Sequence, residues 1–135
     1  MENQPRYKIM LVDDDRFLLN MYENKFKSYN QEVLSMSSSE EALSRLRENF
    51  DPDVLLLDIV MPALDGLELL GVIRKENLAP KAAVIILSNQ GDSKEIDKAK
   101  SLGIAGYIVK AALIPTEVIV EVLKISSDWH LKHNK

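Results

Sequence analysis

The sequence predicts an α/β fold, a five-stranded parallel sheet with helices on both faces. Three observations lead there. Five short apolar runs recur at 9–12, 33–36, 54–57, 84–87 and 107–109, with starts 24, 21, 30 and 23 residues apart. Those runs are largely continuous rather than alternating, as in strands buried on both faces. Helix-period stripes fill the intervals between them. Strand–helix repeated five times implies a doubly wound parallel sheet, and right-handed crossovers leave few topologies.

Each element has its own signal. The run at 9–12 opens the sheet, and Leu18, Tyr22 and Phe26 then recur every four residues as a helical stripe. The run at 33–36 is weaker, holding Ser35 among its apolar residues. Ser38-Ser39-Glu40-Glu41 has the pattern of a capping box, and Ala42, Leu43 and Leu46 continue it as a stripe. After 54–57, Leu67, Leu70 and Ile73 form a third helix. After 84–87, Ile96, Ala99 and Leu102 form a fourth, opened by Asp92 and closed by Gly103 as a left-handed cap. Beyond 107–109, Pro115 and Thr116 precede the pairs Val118/Val122 and Ile119/Leu123, a fifth helix. The end, Trp129-His130-Leu131-Lys132-His133-Asn134-Lys135, reads as a polar, fraying tail over 127–135 rather than a metal site built on its two histidines. The expected core spans about 8–126 of one domain covering 1–135, and Met1 with the polar tail suits a complete small protein.

Composition narrows the function classes. Of 135 residues, 46% are hydrophobic and 28% charged, enough for a core and too apolar for disorder as the main state. There is no Cys, which excludes a disulfide framework, a Cys-ligated zinc site and a thiol nucleophile. A net charge of −4 and the lack of a basic stripe or aromatic platform give no footing for nucleic acid. The apolar runs fall far short of the roughly 20 residues of a bilayer span, and the polar N-terminus has no apolar signal region. A cytoplasmic protein that binds no membrane is the default expectation.

In a doubly wound sheet, ligands bind at the carboxyl ends of the strands where the strand order reverses. Those ends carry Asp13, Asp14 and Asp15, then Asp58, then Ser88, then Lys110. Each alone has a bland reading: a solvated acidic turn, a turn serine, a surface lysine. Together, at four ends of one sheet, they read as a site. Crowded carboxylates repel unless a cation sits among them. A few hard oxygen ligands with room for water suit Mg²⁺ beside a phosphate. Lys110 and the Ser88 hydroxyl are then placed for phosphoryl oxygens, and Asp58 for nucleophilic attack on phosphorus.

These residues resemble the receiver domain of bacterial two-component response regulators. The resemblance rests on Leu11-Val12-Asp13-Asp14-Asp15, Leu57-Asp58-Ile59-Val60-Met61-Pro62 with Asp65-Gly66, Leu87-Ser88, and Gly106-Tyr107-Ile108-Val109-Lys110, in order over about 8–126. It implies a flavodoxin-like sheet of order 2-1-3-4-5. It implies Asp58 as phospho-acceptor, with Lys110 on the phosphoryl group. Asp14, Asp58 and the Val60 backbone carbonyl would hold Mg²⁺, with Asp13 acting through water. Ser88 and Tyr107 match hydroxyl and aromatic switch positions that reshape the helix 4–strand 5–helix 5 face. Asp15 has no fixed role and reads as a helix start. The implied partners are a histidine kinase or phosphotransfer protein as donor and a protein target, with the chain a monomer or a phosphorylation-dependent dimer. No substrate turnover is expected, only acceptance and self-hydrolysis of the aspartyl phosphate.

The chain departs from that family's pattern in places. Ala111 stands where proline usually follows the lysine, so the Lys110–Ala111 bond is either trans in a rearranged loop or a strained cis bond costing about 2.5–4 kcal/mol. Asn89 replaces a usual Ala or Gly. With Val60 and Gln90 it flanks the opening to Asp58, and the three are expected to tune phosphoryl lifetime. Two alternatives remain at this point. One is a Mg²⁺-dependent phosphatase of the haloacid-dehalogenase type, for which Asp13-x-Asp15 fits but Phe17 stands where Thr belongs. The other is a degenerate receiver acting only as a binding module.

Overall fold

The computed structural model describes residues 5–88 and 93–133. Its elements run β1 (Lys8–Val12), α1 (Arg16–Ser28), β2 (Glu32–Met36), α2 (Ser39–Arg47), β3 (Val54–Asp58), α3 (Gly66–Lys75), β4 (Ala83–Ser88), α4 (Ser93–Ser101), β5 (Gly106–Val109) and α5 (Pro115–His133), with one turn of 3₁₀ helix at Lys110–Ala112. The five strands form one parallel sheet in the order β2-β1-β3-β4-β5. This is the expected fold and the expected order.

The strand sequences account for the two layers of core. Successive side chains point to opposite faces of a sheet. Ile9, Leu11, Val54, Leu56, Ile85 and Leu87 meet α1 and α5 on one face. Met10, Val12, Leu55, Leu57, Val84 and Ile86 meet α2, α3 and α4 on the other. A strand buried on both faces has no polar alternation to show, hence the continuous apolar runs. The edge strand β2 has one ladder partner and is only partly buried, and its pattern is correspondingly weaker.

Helix ends follow local chemistry. Asp15 caps α1, its side chain accepting from Phe17 N (3.0 Å) and Leu18 N (3.2 Å). Ser38 caps α2 by accepting from Glu41 N at 3.1 Å, but the expected reciprocal bond is absent. The Glu41 carboxylate instead accepts from the Ser37 hydroxyl at 2.9 Å, so half of the box forms. The complete capping box is at α3, where Glu68 N donates to Asp65 Oδ1 (2.8 Å) and Asp65 N to Glu68 Oε1 (3.0 Å). Gly103 follows α4 in the left-handed conformation (φ 77°), as expected. Asp92, expected to open α4, lies outside the described residues.

Two expectations need correction. On α1 the stripe facing the core is Leu19, Tyr22 and Phe26; Leu18 is turned part-way toward solvent. The 127–135 segment was expected to fray, yet α5 continues to His133. Its last turns are tied down: His130 Nε2 bonds the Asp53 carbonyl at 2.8 Å, and its ring stacks on Tyr7 at 5.5 Å. Tyr7 is itself buried, so the tail covers the start of β1. Among the described residues, no helix is long and apolar enough to cross a membrane.

Gly71 sits inside α3 with nothing within 4 Å of where a Cβ would stand. Gly71→Ala should stabilise the fold by about 0.5–1 kcal/mol, because glycine loses more backbone freedom in a helix and no contact opposes the methyl. A urea titration showing a raised midpoint at unchanged slope checks this.

Candidate functional site

Register brings the strand ends together. Val12 pairs with Leu57, Asp58 with Leu87, and Ser88 with Val109. Asp13, Asp58, Ser88 and Lys110 therefore emerge along one edge, beside the β1–β3 junction where the strand order reverses. Asp13 is 1% exposed and Asp58 5%, while Asp14 faces solvent. One carboxylate oxygen from each of the three lies within 4.8 Å of the others. They line a cleft of about 300 Å³ with Asp15, Leu18, Val60 and Lys110.

The lysine is the centre of the arrangement. Lys110 Nζ lies 3.0 Å from Asp13 Oδ2 and 3.0 Å from Asp58 Oδ1. Asp13 Oδ1 accepts from Asp15 N at 2.9 Å, so both Asp13 oxygens already have protein donors. One cation thus pairs with two of the three acids. Burial, then the charge of Asp13, pushes the Asp58 carboxyl up to about 6, against the opposing pull of Lys110. For Lys110, burial lowers the pKa, but the bond to Asp58 and the charge of Asp13 outweigh it, and the net shift is upward. The ammonium therefore stays charged at neutral pH.

The β3–α3 loop holds Asp58 in place. Gly66 N donates to Ile59 O at 2.8 Å, and the Asp65–Glu68 box fixes the start of α3 just beyond. A Cβ on Gly66 would collide with the Asp58 carbonyl oxygen and stand 3.0 Å from Ile59 Cα, both rigid backbone. Gly66→Ala should therefore cost about 2 kcal/mol or more, in the range of overpacking, and displace the Asp58 backbone. Thermal unfolding, with Mg²⁺ titration alongside, checks both effects. This close approach is a functional feature that the sequence pattern did not expose. The Asp65-x-x-Glu68 spacing is the sequence signal of that box.

The remaining candidates fall as follows. Val60 lines the cleft and is 69% exposed. Ser88 is buried at the end of β4. Tyr107 is half-buried on β5, packed against the core under α2, α3 and α4. Asn89 and Gln90 lie outside the described residues. There is no cis peptide bond among the described residues. The Lys110–Ala111 bond is trans, and the chain turns through Lys110–Ala112 as a short 3₁₀ segment. His130 and His133 form no shared site: His133 Nδ1 bonds the Trp129 carbonyl at 2.8 Å, one turn from the His130 bond to Asp53.

The response regulator receiver domain model matches residues 9–123. The chain is 32% identical over 137 residues to protein-glutamate methylesterase/protein-glutamine glutaminase 1 of Syntrophomonas wolfei, covering 95% of this chain and 38% of that protein. It is 34% identical over 110 residues to the probable transcriptional regulator ycf27 of Porphyra purpurea, covering 82% of this chain and 43% of that one. The chain thus spans less than half the length of these curated relatives. In fold it is similar to a CheY-like response regulator receiver domain protein from Methanospirillum hungatei JF-1. That match has a TM-score of 0.83 at 22% identity over 95% of this chain and 99% of the other.

Proposed function

The chain belongs to the response regulator receiver family of two-component systems, and on that premise we propose that it is a signalling switch that accepts a phosphoryl group on Asp58. The single observation that carries this reading is Lys110 Nζ held 3.0 Å from both Asp13 and Asp58 beside the exposed Asp14. A cation is already aimed at the acceptor carboxylate, and the acid cluster is left short of positive charge. A phosphatase of the dehalogenase type is set aside by the family match.

The donor set fits Mg²⁺: it is all oxygen, three carboxylates with ligand atoms within 4.8 Å, and burial together with like-charge repulsion holds Asp58 high. Asp14 and Asp58 would bind it directly with the Val60 carbonyl. Asp13, with both oxygens engaged by protein donors, would act through water. When bound, Mg²⁺ supplies counter-charge for the acids and polarises phosphoryl oxygens.

The chain's own residues do the rest. An Asp58 oxygen attacks phosphorus; the phosphorus–nitrogen bond to a donor histidine breaks, and its electron pair leaves with the imidazole. Lys110 moves its donors from the carboxylates to a phosphoryl oxygen. The Ser88 hydroxyl donates to another. Filling of the vacated space by Tyr107 would then reshape the α4–β5–α5 face for a protein target or a second copy. Val60, Asn89 and Gln90 control access of hydrolytic water and so the phosphoryl lifetime.

The donor is a histidine kinase or phosphotransfer protein in the cytoplasm, and no external phosphate ester is turned over. The test is incubation with a phosphohistidine-bearing phosphotransfer protein beside p-nitrophenyl phosphate. Label passing to this chain, with no nitrophenol released, is the expected result. Nitrophenol release that depends on Asp58 would replace the switch by an esterase.

A further inference from the structure

One charged side chain outside the acid site has no role so far. Arg74, on the last turn of α3, donates from Nε to the Leu102 carbonyl (3.0 Å) and from Nη2 to the Gly103 carbonyl (2.8 Å). Among the described residues, no carboxylate forms an ion pair with it. Half-buried, its guanidinium is held below its ordinary pKa by desolvation. A group in that position needs hydrogen-bond partners, and it has found two main-chain carbonyls rather than an acid.

Those carbonyls belong to the turn that ends α4. The last carbonyls of a helix lack intrahelical donors and carry partial negative charge, so a cation there stabilises the end. Gly103 supplies the left-handed turn that presents them, and a Cβ added there would stand 3.9 Å from Arg74 Nη2, an ordinary van der Waals contact. Elsewhere α4 is lightly held. Ala99 is its one fully buried residue with described burial, and Ile96 is half-buried. In sequence α4 starts five residues after Ser88, so its leading end lies at the sheet edge that carries the acid site.

The geometry points to Arg74 as the positioning residue on which α4 pivots: it fixes the trailing end at Leu102 and Gly103, so that displacement begun at Ser88 is confined to the leading end. The part concerning displacement rests on the reading of Asp58 as acceptor; the anchoring does not.

The test is amide hydrogen exchange on the whole chain, with and without Mg²⁺ and acetyl phosphate, for the parent, Arg74→Met and Arg74→Lys. Methionine keeps much of the stem and loses both donors; lysine keeps the charge and one point of donation. Without the phosphoryl donor, Arg74→Met should exchange at least tenfold faster than the parent at 97–103, with β1, β3 and β4 unchanged. Arg74→Lys should recover part of that protection. With the donor, the parent should change at the leading end of α4 and stay fixed at Leu102 and Gly103, whereas in Arg74→Met the change should reach Gly103. Equal exchange at 97–103 in parent and Arg74→Met, or a phosphoryl-dependent change at Gly103 in the parent, overturns the pivot. Intact mass read on the same samples separates the two ideas. Absence of a phosphoryl gain in the parent sinks the acceptor reading, and the unmodified comparison then decides the anchor alone. A global loss of protection in Arg74→Met passes the decision to Arg74→Lys, which must then show faster exchange confined to 97–103.

Discussion

Asp58→Asn should lose phosphoryl uptake completely while making the metal-free protein more stable at neutral pH. Uptake is lost because an amide oxygen is a poor nucleophile and cannot form the acyl phosphate. The gain in stability follows from linkage. Asp58 titrates near 6 in the fold against 3.8 ordinarily, because burial and Asp13 oppose its charge. A carboxylate with a raised folded pKa weakens the fold as pH climbs between those values, and the full cost is present above about 6. About two pKa units correspond to about 3 kcal/mol. Asparagine removes that cost but also removes one partner of Lys110, so about 2 kcal/mol is expected at pH 7. The difference from the parent should shrink as pH falls from 6 toward 3.8 and vanish only below that, where Asp58 is protonated in both states. Mg²⁺ should raise the melting temperature of the parent more than that of the variant. Thermal unfolding at pH 4, 6 and 8, with and without Mg²⁺, reads all of this.

Lys110→Ala should reduce the rate of phosphoryl uptake by roughly 10²–10³, the usual cost of removing one preorganised donor from a developing anion. The same change should tighten Mg²⁺ binding to the unmodified protein, because Lys110 now neutralises both Asp13 and Asp58 and so competes with the metal. It leaves two buried carboxylates without their cation. Breaking such a pair costs about 3–5 kcal/mol when the remaining charge cannot escape. Here it can, because Asp58 takes up a proton. Without Lys110 its pKa rises further, so the loss of stability should be small near pH 5 and large near pH 8. Isothermal titration with Mg²⁺ and urea unfolding at the two pH values give the two signs. Weaker Mg²⁺ binding in Lys110→Ala would mean that the lysine organises the acids rather than competing for them.

The fold was legible because its strands are buried on both faces. A run such as Val84-Ile85-Ile86-Leu87 can sit in few other places, and its alternate side chains feed the two separate cores. The acid site was legible for a related reason. A parallel sheet gathers every strand's carboxyl end on one edge, so residues 13, 58, 88 and 110 are near in space despite their distance in sequence. What was not legible depended on contacts that no periodicity records. The tail from 127 onward looked polar because its packing is one imidazole against a carbonyl and a tyrosine ring. The Glu41 carboxylate chose the Ser37 hydroxyl over the backbone, a choice between neighbours that the S-x-x-E pattern leaves open. Leu18 and Leu19 are equally apolar, and only the seating of α1 on the sheet decides which of them is buried. Arg74 reads in sequence as an ordinary basic residue at a helix end; its partners are 28 and 29 residues away.

The measurement that tests the central claim most directly is the intact mass of the protein after incubation with Mg²⁺ and acetyl phosphate, beside Asp58→Asn. The account predicts a gain of one phosphoryl group in the parent, none in the variant, and none in the parent when Mg²⁺ is chelated beforehand. An equal gain in both proteins would place the acceptor elsewhere. No gain in the parent would contradict the account and leave a receiver fold that binds partners without switching on phosphorylation.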